Sequence, residues 1–294
     1  MIRLSKSIAV ALAAILIGAS GAPVRATDAG DVYIDGVRYV PADSKEAKKA
    51  SSNSGKMVSH TFSVSSNFSS IASSAPVNIV FTQAVVSKPT VKGDLPKKLL
   101  DVIDITVSKG VLNISLKSGN HSFNFRGKTP TLYISTKDLK NVSIMGAGDF
   151  TIPGSLASDS FNVNSCGSGD FKANNVNAGN KNIYINTQGS GDVDIKTLKC
   201  NALTINVCGS GDVESDKVNV NTCTATVQGS GDIELKGSAN TITFSATGSG
   251  DIKAGYLKAN NGTASAQGSG DIKCNVTNLT KHASGSGDIS NYSH

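Results

Sequence analysis

Leu203-Thr204-Ile205-Asn206-Val207-Cys208-Gly209-Ser210-Gly211-Asp212-Val213 is the stretch that decides how this chain folds. Its first half alternates apolar and polar residues. Its second half is a Gly-Ser-Gly-Asp tetrad followed by an apolar residue. The tetrad, or its variant with alanine for serine, occurs eight times. Its aspartates are Asp149, Asp170, Asp192, Asp212, Asp232, Asp251, Asp271 and Asp288, at spacings of 21, 22, 20, 20, 19, 20 and 17. A fixed period near 20 means one supersecondary unit stacked many times.

Aligning the repeats on the aspartate gives clear columns. Ile183, Ile185 and Thr187 precede one tetrad, and Leu203, Ile205 and Val207 precede the next. Cys223, Ala225, Val227 and then Ile242, Phe244, Ala246 continue the same pattern. Polar residues lie between them, such as Tyr184 and Asn186, or Thr224 and Thr226. Period-two alternation is the signature of a half-buried strand. The tetrad then reads as a corner, its glycines supplying the positive φ that a sharp turn demands. After each aspartate comes an apolar residue: Phe150, Phe171, Val193, Val213, Ile233, Ile252, Ile272 and Ile289. Each repeat is therefore predicted to be a strand, a glycine corner, a second short strand and a return segment. Leu198, Val218 and Leu257 give the return segment its inward residue.

Such a thin unit cannot bury its apolar face alone, and no repeat has room for a helical apolar stripe. A propeller blade needs roughly 40 residues and four strands. Sandwiches place turns roughly every 8–12 residues without identity between repeats. The prediction is an all-β parallel β-helix with rungs of about 20 residues, adjacent rungs lying about 4.8 Å apart.

Residues 1–26 read as a secretory signal. Arg3 and Lys6 precede the apolar run Ile8 to Ile17, and Val24-Arg25-Ala26 offers small residues for cleavage. Losing the signal would lower the net charge from +6 to +3, as Arg3, Lys6 and Arg25 go with it. That balance argues against a nucleic-acid partner. No later segment approaches the length of a transmembrane helix. Residues 27–56 are expected to be a tail or linker, polar and without period from Ser44 to Lys56, with a single strand in Val32 to Val40. Residues 57–294 form the predicted domain. Within it, 57–140 supplies an atypical N-terminal cap and early rungs, and 141–294 supplies the tetrad rungs. Asp104 to Val107 and Val111 to Leu116 flank Ser108-Lys109-Gly110 as a hairpin or a rung corner. The last rung ends close to Tyr292, so its cap is short or comes from a partner.

Several segments carry a resemblance to a known family. Phe68-Ser69-Ser70-Ile71, the strand Val77 to Phe81, Gly110-Val111-Leu112-Asn113-Ile114, Leu132-Tyr133-Ile134 and the serial tetrads resemble the head GIN domain family. That family is also called "putative auto-transporter adhesin" and is common in Bacteroidota. The resemblance covers roughly Met57 to Tyr292. It implies a right-handed parallel β-helix and an exported protein, and it brings no catalytic residues.

The aspartate column is the sharpest chemical feature. Stacked carboxylates repel by on the order of 1 kcal/mol per neighbour in water. Two readings could offset this. In the first, Asp149, Asp170, Asp192, Asp212, Asp232, Asp251, Asp271 and Asp288 form a structural turn column. Each accepts hydrogen bonds from N–H groups of its own corner. In the second, Asp170, Asp192, Asp212, Asp232, Asp251 and Asp271 hold calcium between rungs. The first is favoured, because calcium-binding rolls use a nine-residue repeat. No cofactor or metal is therefore predicted.

Two residues past the aspartate, Lys172, Asp194, Glu214, Glu234, Lys253 and Lys273 form a column of mixed sign, read as a solvated face. Cys166, Cys200, Cys208, Cys223 and Cys274 are an odd number for an exported chain. Cys166 and Cys208 stand two rungs apart, beyond disulfide reach. A Cys200–Cys223 bridge stays open, while Cys223 and Cys274 read as small core residues. His60, His121, His282 and His294 lie outside the regular rungs or at the end. No nucleophile elbow, zinc helix or phosphate loop appears. After the signal the only arginines are Arg38 and Arg126, and the chain has no tryptophan.

The function expected is therefore an exported, non-catalytic scaffold with adhesin-like binding of a glycan or a surface protein, at the cell surface, outside the cell or in the periplasm. A carbohydrate-active β-helix enzyme, a lyase or hydrolase, is the alternative and rests on fold analogy. Self-association of like copies through an end rung is a third expectation.

Overall fold

The computed structural model describes residues 57–292 apart from Ser65, Asn124 and 126–128. Before residue 57 it describes the strands Val24–Ala26, Val32–Ile34 and Val37–Tyr39, which form an antiparallel three-stranded sheet. The single strand expected from Val32 to Val40 is thus two strands paired as a hairpin, Val32 opposite Tyr39. The rest of 1–56, including the expected signal start and most of the linker, lies outside the described residues.

Apart from antiparallel strands and one helical turn between residues 90 and 108, the chain from Ser70 onward is an all-β parallel solenoid of about 8 turns with rungs of about 20 residues. Registers match the columns read from the sequence. Ile183 pairs with Leu203, Leu203 with Cys223, Cys223 with Ile242, and Ile242 with Gly262. The inward residues fill one continuous core. At its lower end Phe81, Phe150 and Phe171 stack with ring centroids 6.4 and 5.7 Å apart. Val193, Val213 and Ile233 then continue the Phe171 column, fully buried. Such stacking of apolar side chains is the main stabilising term available to a solenoid.

The second short strand and the separate return segment were too coarse a prediction. Val193–Val207 is one 15-residue strand, as are Val213–Val227 and Ile252–Ala266. Its alternation slips twice. Val193 and Ile195 point inward, then Leu198 and Cys200, then Leu203, Ile205 and Val207. Each slip, at Lys196-Thr197 and at Asn201-Ala202, places two non-buried residues in succession. A one-residue slip moves the inward face to a new direction, so the strand bends into three sides while its ladder continues.

The tetrad glycines correct a second expectation. Among the described residues positive φ occurs at Lys109, Gly110, Gly119, Gly179 and Gly237, and at no tetrad glycine. Close approach is what demands glycine there. A Cβ on Gly209 would lie 2.0 Å from the carbonyl oxygen of Gly189, and one on Gly211 2.2 Å from that of Gly191. From Gly167 to Gly287 the same distance is 1.9–2.2 Å at every tetrad glycine. The middle serine is exposed in each copy, which is why Ala147 can replace it.

The uneven spacings also have physical causes. In the 19-residue rung one residue is missing between Leu235 and Gly237, opposite Ser215 and Val218. Gly237 absorbs the shortening at φ +130, with the Val218 oxygen 2.1 Å from where its Cβ would be. The last rung cuts off more of the corner, since Lys253 pairs with Lys273 but Lys258 already pairs with Asn275. The Tyr292 ring comes back to pack against Gly255.

The front segment is both cap and rungs, but its rungs are not in chain order. Val111–Leu116 and Thr131–Thr136 lie beneath Ser70–Ser73 and Asn78–Gln83, pairing parallel with them. The chain therefore lays its second rung before its first, then skips over it to Asn141–Ile144, which pairs with Ser70–Ser73. The cap itself is antiparallel: Met57–Phe62 on Thr90–Pro96, and Thr90–Pro96 on Thr131–Thr136. Ile103–Ser108 and Val111–Leu116 form a hairpin, with Lys109 and Gly110 both at positive φ as a type I′ turn requires. A single helical turn, Lys97–Leu100, buries Leu99 against the cap.

The corner makes a sharp prediction. Gly211→Ala should destabilise the protein by about 2–3 kcal/mol, because a methyl group must displace stacked backbone rather than side chain. Ser210→Ala should change stability by less than about 0.5 kcal/mol. Urea unfolding of the two variants side by side checks the difference, and equal effects would refute the close-approach account.

Candidate functional site

The aspartate column forms a hydrogen-bond ladder that runs between rungs. Asp170 N–H donates to Asp149 Oδ1 at 3.1 Å, and Asp192 N–H donates to Asp170 Oδ1 at 3.1 Å. Asp212, Asp232, Asp251, Asp271 and Asp288 repeat the contact at 2.9, 2.7, 2.7, 2.8 and 2.8 Å. Asp149 to Asp271 each accept from the next rung's aspartate N–H and not from their own corner, and Asp288 accepts from no backbone N–H among the described residues. The reason is backbone direction. The second N–H of the corner already shares the carbonyl of the first glycine below, as Gly211 N–H does with Gly189. The aspartate N–H then has a carboxylate beneath it in place of a backbone carbonyl. The following residue reverses the sense: Val193 N–H donates to the Asp212 carbonyl above. Asn78 starts the ladder, its Oδ1 accepting from Asp149 N–H at 3.0 Å.

Lysines neutralise two steps of the ladder. Lys172 Nζ lies 3.0 Å from Asp170 Oδ2, and Lys253 Nζ lies 2.5 Å from Asp232 Oδ2. Burial works against the charged form of Asp170 and Asp232. The N–H of the next aspartate and the lysine ammonium outweigh it, so both carboxyls sit below the ordinary value of 3.8. Asp194, Glu214 and Glu234 stack in register between those lysines. Burial first, and then Glu234, Asp194 and Asp212, push the Glu214 carboxyl up, with Lys236 pulling it partly back. This mixed-sign column, Lys172 through Lys273, is exposed or half-buried throughout.

The side preceding the corner has a different chemistry. Its stacked columns run Tyr184, Thr204, Thr224, Thr243, Thr263 and Asn186, Asn206, Thr226, Ser245, Ser265. Asparagine amides link rungs along it: Asn186 Nδ2 to Asn164 Oδ1 at 3.1 Å, and Asn206 Nδ2 to Asn186 Oδ1 at 2.9 Å. These ladders were legible as recurring asparagines in one column, though only the registers identify them as ladders.

The five cysteines are free thiols. The Cys200–Cys223 bridge is absent, because the two lie on different sides of the rung: Cys200 pairs with Val220, and Cys223 with Leu203. Burial pushes both thiols up to about 12. Cys274 is buried as well, while Cys166 and Cys208 are exposed beside Gln188 and Gln228.

Among the described residues, no three His, Cys, Asp or Glu side chains gather where a metal ion could be held. The six aspartates considered for calcium do stack, each with Oδ1 committed to an N–H. His60 packs edge-on against Phe62 in the cap, and His121 bonds the Lys117 carbonyl at 2.8 Å. His282 is in the last rung, so these histidines do not converge. The hollows among the described residues are open grooves, one at Asn67, Ser87, Lys137 and Asp138, another at Lys258, Asn275 and Tyr292. No described helix is long and apolar enough to cross a membrane.

A family model described as "Putative auto-transporter adhesin, head GIN domain" matches residues 67–189 and 180–294. No curated protein matches the chain. Among solved structures, a "putative adhesin" from Bacteroides fragilis NCTC 9343 is 23% identical with a TM-score of 0.64, covering 80% of this chain and 97% of that one. A "putative adhesin" from Parabacteroides distasonis ATCC 8503 is 20% identical with a TM-score of 0.70, covering 81% and 98%. A "Putative lipid binding protein" from the same organism is 22% identical with a TM-score of 0.67, covering 81% and 97%. At these identities the likeness is one of fold.

Two measurements test this site. Asp212→Ala leaves the Asp232 N–H without its acceptor and should cost about 1–3 kcal/mol, whereas Asp212→Asn keeps an acceptor oxygen and should cost less than about 1 kcal/mol. Because the Asp170 and Asp232 carboxyls are depressed, their contribution is full above 3.8 and is lost as pH falls through their lowered native values. Asp232→Asn should therefore flatten the acid limb of stability against pH; an unchanged limb would sink the assignment. Separately, maleimide should label Cys166 and Cys208 in the reduced native protein, and Cys200, Cys223 and Cys274 only after unfolding. Native labelling of a buried thiol would contradict the core described.

Proposed function

The chain belongs to the head GIN domain family, and on that premise we infer that it is an exported, non-catalytic scaffold that binds a glycan or a protein partner in adhesin-like fashion. Its place is the cell surface, the outside of the cell or the periplasm. One observation carries this reading. From Asn141 to Asn291 the rungs follow one another without a long insertion, so these described rungs offer flat, repeating sides. A solenoid of this kind binds over an extended face, many weak contacts summing across rungs. A polysaccharide lyase or hydrolase would need carboxylates or basic groups converging on one bond. Here the tetrad carboxylates from Asp149 to Asp271 are spread along a ladder and tied to backbone N–H groups, and Asp194, Glu214 and Glu234 stack one per rung beside them.

The end rung supports the self-association reading as a second mode. Ile289–Asn291 covers only Ile272–Cys274, and the strand beyond runs on to Ala283. Such an edge is a template for another strand.

A glycan array and a pull-down against surface proteins should each be run on the mature protein, with a panel of acidic and neutral polysaccharides incubated in parallel. Binding without released product is expected. Two empty binding screens would overturn the adhesin-like reading, and a released oligosaccharide would overturn the non-catalytic one. Gel filtration that shows monomer alone at high concentration would remove self-association.

A further inference from the structure

The side of the solenoid that precedes each corner carries no charged side chain at its outward positions from Asn162 to Gln267. Those positions hold Asn, Thr, Ser, Gln, one Tyr, one Ala and two cysteines. The next side carries Lys172, Asp194, Glu214, Glu234, Lys253 and Lys273, and the third carries Lys199, Lys217 and Lys258. Charge is therefore tolerated in stacked columns of this protein, even between like neighbours such as Lys253 and Lys273. A solubility or ladder-stability argument would apply to all three sides alike. It does not explain why one of them is free of charge.

The uncharged side is also a regular grid. Thr204, Thr224, Thr243 and Thr263 stack in register, with Asn206, Thr226, Ser245 and Ser265 beside them. Rungs lie about 4.8 Å apart, and residues two apart on a strand lie roughly 6.7 Å apart. In the rungs near Asn164 the amides are used up between rungs. In the threonine rungs the hydroxyls of Thr204, Thr224, Thr243 and Thr263 make no hydrogen bond within the described protein. They stand as an array of donors and acceptors facing outward.

We propose that this side is a docking surface for an uncharged linear polysaccharide lying across the rungs, a deepening that rests on the adhesin-like reading above. Three features choose that occupant. The absence of charge selects against anionic polymers and against most protein surfaces, which carry ions of both signs. Hydroxyl and amide groups match the hydroxyls of a neutral sugar. The repeat of the grid suits a polymer that presents the same groups again at each step, each contact weak and the sum large.

The test is co-sedimentation of the mature protein with cellulose, chitin and a neutral β-glucan, and with alginate as the anionic comparison. Two double variants report on the face. Thr224→Val with Thr243→Val removes hydroxyls while keeping shape, and Thr224→Glu with Thr243→Lys adds opposite charges to adjacent rungs. Glu214→Gln with Glu234→Gln alters the neighbouring side as a control, and thermal melts follow folding in all three. Retention on at least one neutral polymer is expected, with at least a tenfold rise in Kd for both threonine variants and none for the control. Retention that both threonine variants leave unchanged would overturn the placement while the adhesin-like reading stood. So would retention on alginate alone, or binding of a protein partner with no polysaccharide bound. Absence of binding in every assay would take both readings down together.

Discussion

The contact on which this molecule depends is backbone against backbone. At each corner from Gly167 onward two glycine carbonyls occupy the space where the side chains of the next rung would be. Nothing flexible lies between the layers there, so rung height is set by peptide groups and not by side-chain packing. The carboxylate ladder is the necessary complement. Bringing backbone that close leaves the aspartate N–H with no carbonyl below it, and Oδ1 of the previous aspartate supplies the acceptor. The tetrad is thus one device. Glycine permits the approach, aspartate satisfies the donor that the approach exposes, and the middle residue faces solvent.

Much of the fold is legible in the residues because a repeat reports its own register. Subtracting aspartate numbers already superimposes Ile183, Leu203, Cys223 and Ile242, and the ladder pairs those residues. Two things were not legible. The first is why glycine is there: positive φ and close approach both call for the same residue, and only neighbouring rungs distinguish them. The second is the order of the front rungs. Ser70–Ser73 and Val111–Leu116 each look like a rung strand, but alternation says which face is buried, not which strand lies beneath. Likewise, aspartate in a glycine-rich corner reads as a local turn, since sequence proximity cannot reveal an N–H some 20 residues away.

The sides of the rung divide the labour that the corner makes possible. One inward column runs Phe150, Phe171, Val193, Val213, Ile233, Ile252 and Ile272, and another runs Val163, Ile185, Ile205, Ala225, Phe244 and Ala264, all within one core. One inward position is less well served: Thr187 buries a hydroxyl without a partner, below Val207 in the same column. Between Asn162 and Gln267, outward charge stands at the corner and on the two sides after it, where lysines can also reach the aspartate ladder. The side before the corner is left neutral. It is the side where amide and hydroxyl groups, not ion pairs, meet the solvent.

The ladder has a direction, and the two ends of the molecule answer it differently. At the lower end a donor lacks an acceptor, and Asn78 provides one with its side-chain oxygen before the antiparallel cap closes the sheet. At the upper end Asp288 donates downward to Asp271, and among the described residues no aspartate N–H above uses its own carboxylate. At that end one side chain acts in place of backbone. The Asn291 amide accepts from Val276 N–H and donates to Val276 C=O, both at 2.9 Å, as a further rung would. Lys281 pairs in register with the inward Ala264, is itself exposed, and donates from Nζ to the Ile289 carbonyl at 2.9 Å. A charged residue in a core column would be out of place in any middle rung. In the last described rung it is exposed to solvent, where a charge is tolerated.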